Sequence, residues 1–508
     1  MTFKPHLGLP KVILLALAVG LSAALLTSCS KDDKGGDKKD GKATAGPEST
    51  TPNSPRDINL EASNRVRVVD LTGKPLAKVQ VLVGMALNAP FADNFLETES
   101  DGTFRAPSGW TDETAVTLAA PGFVRATYLG QKPEGQTLTL RPIDLPRSME
   151  LNGGQTGFQV VDKDGLVDFG LVIPTLSKQD LFNFDIGMVL SNQIDEISVL
   201  GQKIKLPSNI TLPKQQETYI FNLTLDKPNY RMYFSSKGPK KVFSARGQFP
   251  LKPVVDEIRA GKSFFELANY LKINGGALKQ IEISGEKTSA TLPVTELVFN
   301  QLRTAQGPVF DKEQVLLALA LSEDQGALFP TDVKNLSPNS KTALTTAKGS
   351  TPLLLTVLKN KSEAQGPGSD RLSATLVPFT EGASPQLLAL MKNPQVISSN
   401  HLKADVINTI NGVAPVGSYM VLSTVEQKNI GGTSYEVLTK LWEVYDRNWT
   451  PEYVLPVWPK EPLPNGKKRW EVSRAGSNLP ASKAAKILDL GPRLFESVTH
   501  ATHSSSDF

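Results

Sequence analysis

Histidines, serines, carboxylates and aromatics are the residues from which this chain could assemble a site, and few of them stand at a spacing that chemistry demands. Of four histidines in 508 residues, His401, His500 and His503 lie beyond the N-terminal leader. His500 and His503 fall in a Thr/Ser-rich terminal stretch, for which disorder or an edge strand is expected. The sequence holds no His-Glu-x-x-His, no His and Glu pair at zinc spacing and no Gly-x-Ser-x-Gly, so no metal site or catalytic residue is assigned and no cofactor is expected. Ser284-Gly285-Glu286-Lys287 has the Ser-x-x-Lys spacing of a nucleophile and its base, but Gly285 disfavours the helix which that spacing needs. Gly36 to Lys42 spaces like a phosphate loop, yet Ala43 stands where a hydroxyl should hold Mg²⁺. Asp162-Lys163-Asp164-Gly165 lacks the further oxygens of a calcium loop and reads as a turn.

Aromatics are the exception to this thin inventory. Trp442, Trp449, Trp458 and Trp470, with Tyr445 and Tyr453, crowd one short window. Indole and phenol faces stack on sugar rings and anchor interfaces, so Trp442, Trp449, Tyr453 and Trp458 are the candidate ligand-binding residues. The competing reading is a sandwich core. Trp442 alternates with Val444 and Leu441 with Tyr445, as in a strand buried on both faces, and Pro456-Val457-Trp458-Pro459 would cover a sheet edge. Carboxylates such as Asp311, Glu313 or Glu323 could instead build a hydrolytic site, because two acids roughly 5 to 10 Å apart need no local motif.

Cysteine chemistry concerns one residue, since Cys29 is the only cysteine and no intramolecular disulfide can form. Lys4 and Lys11 precede an apolar run from Val12 to Leu26, too short to span a bilayer comfortably and suited to a signal peptide. The run ends Leu26-Thr27-Ser28-Cys29, which resembles the bacterial lipoprotein box. That resemblance implies cleavage after residue 28 and lipidation of Cys29, with a diacylglycerol and usually a third acyl chain holding the protein stably to a membrane. Ser30 does not resemble the inner-membrane retention signal, which favours the outer membrane of a diderm host. Ser30 to Lys42 is charged and free of large apolar side chains, and a Ser/Thr/Pro-rich stretch follows, so residues 29–59 read as a flexible tether reaching on the order of 30 Å.

The body behind the tether must bury a core in several units, because 508 residues exceed the size at which one domain keeps growing. Hydrophobic residues at 40% and charged ones at 21% are ordinary for a globular chain, and 36 prolines with 39 glycines favour turn-rich β architecture. Losing Lys4 and Lys11 lowers the formal charge from +4 to +2. Such a balance carries no footprint for nucleic acid.

Residues 60–144 form the first unit. A β run at Val66, Val68 and Val69 is followed by Asp70-Leu71-Thr72-Gly73-Lys74-Pro75-Leu76 and alternating Val79, Val81 and Val83. Thr98 to Phe104 reads as a hairpin about Asp101-Gly102, and Ala115 to Leu118 leads through Ala120-Pro121-Gly122-Phe123 to Leu138 and Leu140. This order resembles a carboxypeptidase regulatory-like domain, a small transthyretin-like β-sandwich. The resemblance implies an accessory, extracytoplasmic module without catalytic residues.

A second β-rich unit, 145–275, has strands around Val167 to Ile173, Tyr219 to Leu225 and Tyr230 to Phe234. It also carries a two-helix insertion from Pro253 to Leu271, with Ser263-Phe264-Phe265-Glu266 as a capping box. The third unit, 276–508, shows strands at Val315 to Leu321, Leu353 to Leu358, Leu372 to Val377 and Gln386 to Met391. A hairpin pairs Tyr419–Val425 with Tyr435–Tyr445 across Gly431-Gly432, and a short helix follows Pro480. The expected fold is mainly β, tandem sandwiches with a small helical insertion behind a lipidated tether. The expected function is a non-catalytic envelope or surface lipoprotein that meets the membrane through its lipid and a glycan, peptidoglycan or protein through its sandwiches. The alternative is a lipid-anchored hydrolase built on carboxylates. Convergent acids in a cleft would favour the enzyme, and an open aromatic patch the binder.

Overall fold

In the computed structural model the described residues are 64–508, less short internal runs of which 182–190, 214–227 and 480–496 are the longest. The leader, Cys29, the tether, Ser263 of the capping box, the 219–225 strand, the Gly431-Gly432 turn and the helix after Pro480 lie outside them. The described chain is mainly β, in several sheets that pack as tandem sandwiches. No helix among these residues is long and apolar enough to cross a membrane.

The first sandwich sets the three strands Thr103–Arg105, Arg65–Val69 and Thr137–Thr139 against a second layer containing Gln80–Val83, Leu96–Glu97, Thr114–Ala119 and Arg125–Gln131. Val66, Val68, Val81, Val83, Phe104, Val116, Leu118 and Leu138 fill the space between, which is why Val66 and Val68 flank Arg67, and Val116 and Leu118 flank Thr117. At the first turn the Asp70 carboxylate accepts hydrogen bonds from the Thr72 and Lys74 amides at 2.8 and 3.0 Å, an Asx-type closure. The expected turn about Asp101-Gly102 forms, closed by backbone hydrogen bonds from Glu99 N to the Thr103 carbonyl at 2.7 Å and from Gly102 N to the Glu99 carbonyl at 3.0 Å, but its flanking strands part: Leu96–Glu97 pairs with Gln80–Val83 in one sheet and Thr103–Arg105 with Arg65–Val69 in the other. The turn carries the chain between layers. Gly102 sits at φ +77°, where a Cβ would lie 2.7 Å from the Val68 carbonyl oxygen.

The middle of the chain builds a six-stranded sheet in the order Ile210–Thr211, Leu166–Pro174, Gly238–Pro250, Lys272–Ile283, Leu297–Gln306, Lys341–Ala347. Two helices, Leu251–Arg259 and Phe264–Leu267, extended by a 3₁₀ turn to Tyr270, join Gly238–Pro250 to Lys272–Ile283. Val254, Leu267 and Ala268 face inward; Val254 and Leu267 join the core of that sheet with Phe243 and Phe249. The sequence placed this insertion correctly.

One sheet organises the rest. Twelve strands run from Ala327–Leu336 through Gln314–Asp324, Thr351–Asn360, Leu372–Pro378, His500–Asp507, Lys468–Ser477, Ala414–Ile430 and Thr433–Asp446 into Arg125–Gln131 and the remainder of the first sandwich. The join is a parallel pairing of Arg125–Gln131 with Thr433–Asp446, in which Tyr128 stands beside Tyr445 and Ala126 beside Glu443. The sheet is open.

Two expectations are corrected here. Gln386 to Met391 is not a strand; its backbone runs irregularly, with Leu388 and Met391 fully buried. The terminal Thr/Ser-rich stretch is neither disordered nor at an edge, because His500–Asp507 pairs with Leu372–Pro378 on one side and Lys468–Ser477 on the other. Both corrections have one cause. Thr502 donates to the carbonyl of Ala389 at 2.9 Å, Ser504 to that of Lys392 at 3.0 Å and Ser506 to that of Pro394 at 2.6 Å. The irregular segment thus finds hydrogen-bond partners in strand hydroxyls, and each inward hydroxyl of the strand is satisfied by the segment that covers it.

Candidate functional site

Alternation in the terminal strand assigns its side chains to two faces. Thr502, Ser504 and Ser506 meet the irregular segment on one, so Ala501, His503 and Ser505 project from the other. On that second face the cross-strand partner of His503 is Ser473, and the partner of Ser505 is Glu471. The hydroxyl of Ser473 lies 2.9 Å from His503 Nδ1, and a Glu471 carboxylate oxygen lies 3.8 Å from Nε2. Ser473 is 8% exposed. The histidine and glutamate side chains keep 12% and 24% of their surface, so the row opens toward Glu471. Burial, with the charges of Lys359 and Arg469 nearby, pushes the His503 imidazole down to about 4, and the ring is neutral at physiological pH. Ser505 is 2% exposed and its hydroxyl has no hydrogen-bond partner.

Continuing along the same face, Val421 separates Glu471 from a second acid, Glu443. Glu443 is fully buried and accepts hydrogen bonds from Tyr419 Oη at 2.7 Å and Tyr445 Oη at 3.0 Å, while Arg141 Nε approaches to 2.9 Å. Desolvation drives both phenols well above their ordinary values and leaves them as donors. This network is buried, with Glu443, Tyr419 and Tyr445 each almost wholly withdrawn from solvent, and it reads as structural. It clamps the first sandwich, which supplies Arg141 and Tyr128, onto the C-terminal strands.

The aromatic cluster belongs mainly to the opposite face, and it is not an exposed platform. Trp442, Tyr453 and Trp470 lie in one core with Leu388, Met391, Leu402 and Val472. Trp442 donates to Thr127 Oγ1 at 2.9 Å and Trp470 to the Ser399 carbonyl at 3.2 Å. Trp449 is half-buried, its indole N–H shared between the carbonyls of Gly417 and Ala475. Trp458, nearly buried, packs on Phe95 at 4.5 Å and on the Arg125 guanidinium, which also lies over Trp442. Tyr445 faces the other way, toward Tyr128. Of the two sequence readings, the sandwich core is the arrangement found, because the indole N–H groups of Trp442, Trp449 and Trp470 already have a carbonyl or hydroxyl inside the protein and the Trp458 ring is packed by Phe95 and Arg125.

The three carboxylates named for a hydrolase do not meet in one place. Asp311 and Glu313 precede the strand Gln314–Asp324 and Glu323 lies near its far end, which separates Glu323 from the other two by roughly 30 Å at about 3.3 Å per residue. Asp311 is engaged instead in holding the Glu313 amide at 2.8 Å. Ser284 to Glu286 form a bend between strands, without the helix a Ser-x-x-Lys pair needs. Among the described residues no group of three His, Cys, Asp or Glu could hold a metal ion.

Sequence reasoning missed the Ser473, His503 and Glu471 row. The only local trace is Glu471-Val472-Ser473, two polar residues at i and i+2 on a strand. Its third member comes from the chain end, 30 residues away, and is brought across only by the sheet register.

The fold and these sites define a mainly β, multi-sheet protein with a buried polar seam and a hydroxyl–imidazole–carboxylate row on its largest sheet. No family model matches the chain, and no curated protein does. Weak similarity to solved structures includes the following two. The Bacillus anthracis TIE protein is 8% identical with a TM-score of 0.13, over 63% of this chain and 48% of that one, so the chain spans about half that protein's length. The major pilin protein (T-13) from Streptococcus pyogenes serotype GAS131465 is 8% identical with a TM-score of 0.10, over 60% of this chain and 99% of the other.

Proposed function

We propose that this chain is an envelope lipoprotein, anchored by lipid on Cys29 in the outer membrane of a diderm bacterium, whose β-sandwich body binds a glycan, peptidoglycan or a protein. The observation that carries the reading is Leu26-Thr27-Ser28-Cys29 closing an apolar leader, with the cysteine otherwise unused by a chain that has no second thiol. The charged tether behind it supports the same reading, because it would hold a folded body clear of the headgroups. The regulatory-like order of motifs in the first sandwich adds to it, since such modules serve extracytoplasmic proteins as accessory units. A body whose first sandwich shares a sheet with its C-terminal strands suits a rigid display role.

Detergent-phase partitioning of the full chain and its Cys29→Ala variant tests the anchor. The wild type should enter the detergent phase with the mass of a triacylated or diacylated mature chain. The variant should be recovered uncleaved or in the aqueous phase. Unchanged partitioning of a processed Cys29→Ala chain overturns the reading.

A further inference from the structure

We propose that Ser473 is an activated nucleophile, with His503 as its general base and Glu471 as the residue that positions the imidazole, in a site for hydrolysis of small acyl esters. This goes beyond the anchored binding reading and stands on different residues. Three relations carry it. The Ser473 hydroxyl is 2.9 Å from Nδ1, within proton-transfer reach. The other ring nitrogen faces Glu471 at 3.8 Å, too long for a hydrogen bond but close enough to favour the tautomer with its proton on Nε2 and the lone pair toward serine. All three side chains share one sheet face with the buried hydroxyl of Ser505 beside Glu471, which has no hydrogen-bond partner of its own.

The chemistry balances without a cofactor. Ser473 Oγ attacks the ester carbonyl carbon as its proton passes to His503 Nδ1, and a tetrahedral oxyanion forms. Collapse breaks the bond to the alcohol, which leaves with the proton from Nδ1. Water then attacks the acyl-serine, giving its proton to the same nitrogen, and the acid departs as Ser473 recovers its hydrogen. The amides around Ser473 are placed in the ladders to its neighbouring strands. Two cations have fields that already bear on the ring and would favour a developing oxyanion: Lys359, which stands across Leu372 from His503, two strands beyond the terminal one, and Arg469 on the strand of Ser473.

The full-length protein should be treated with a fluorophosphonate and digested, and the adduct located by mass spectrometry. An adduct on Ser473 of the wild type is the expected result and needs no variant to fold. Hydrolysis of p-nitrophenyl acetate should then fall roughly 100-fold or more in Ser473→Ala and His503→Gln. Glu471→Gln should keep the adduct but shift the pH profile of hydrolysis, which a merely structural role would not do. Absence of an adduct, an adduct on another residue, or ester hydrolysis unchanged in Ser473→Ala each overturns the proposal and leaves the lipid-anchor reading untouched.

Discussion

Tyr128 and Tyr445 stack with ring centroids 5.0 Å apart and planes 10° from parallel, across the seam where the strand Arg125–Gln131 joins Thr433–Asp446. Around this pair the seam is polar yet buried. Glu443 collects two phenols and the Arg141 guanidinium, and Arg125 lies 5.5 Å from the Trp442 ring and 5.3 Å from that of Trp458. Parallel pairing brings strands together from opposite ends of the chain. Their attachment therefore depends on side chains as well as on the short ladder.

That dependence predicts a strong, non-additive response to mutation. Arg141→Met should destabilise the protein by about 3 to 5 kcal/mol, since it leaves the buried Glu443 charge without its cation. The double variant Arg141→Met with Glu443→Gln should recover part of that loss, because the charge is gone and the amide oxygen still accepts from one phenol. Urea denaturation of the two single variants and the double variant measures the coupling. Strictly additive losses would show that Arg141 and Glu443 do not act as a pair.

Acid should weaken the body through its two buried histidines. Burial pushes His500 and His503 down to about 4 from an ordinary 6.5, for His503 with help from Lys359 and Arg469. Between those values the unfolded chain takes up protons that the folded chain refuses, so stability is full above pH 6.5 and falls as pH drops toward 4. The loss accumulates to as much as about 3 kcal/mol for each ring at the low end. Unfolding free energies at pH 7 and pH 5 should therefore differ in the wild type and differ less in His503→Gln. A flat profile across this window would mean that the rings are protonated in the folded protein.

Much of the β architecture was legible because burial imposes period-two alternation on strands with one inward face. Val66 and Val68, Leu316 and Ala318, and Met420 and Leu422 carry that signal locally. The two helices were legible from Pro253, the apolar spacing at Val254 and Leu267, and the break near Gly261. What failed was whatever depends on partners distant in sequence. Asp101-Gly102 has the composition of a hairpin turn, but pairing decides that its flanking strands enter different sheets. The terminal stretch is polar, and polarity forecasts exposure unless a partner segment supplies acceptors, as Ala389, Lys392 and Pro394 do. The tryptophans were legible as a cluster but not as a face, since only the sheet register shows which layer covers them.

The terminal strand gives the sharpest test of how this fold is closed. His500–Asp507 is the last segment of the chain, yet it lies inside the twelve-stranded sheet with a neighbour on each side. Ending the chain after Val498 would leave the ladder edges of Leu372–Pro378 and Lys468–Ser477 unpaired, and the carbonyls of Ala389, Lys392 and Pro394 without their hydroxyl donors. The truncated protein should therefore aggregate or expose apolar surface to a dye such as ANS. Its loss should far exceed the few tenths of a kcal/mol expected from trimming a frayed terminus. A graded version avoids wholesale unfolding: Ser504→Ala removes one donor and keeps the strand, and should cost about 0.5 to 1.5 kcal/mol, the net worth of the hydrogen bond it makes to the Lys392 carbonyl. Comparable denaturation midpoints for Ser504→Ala and the wild type, together with a soluble, cooperative truncation after Val498, would place the terminal strand outside the folded body.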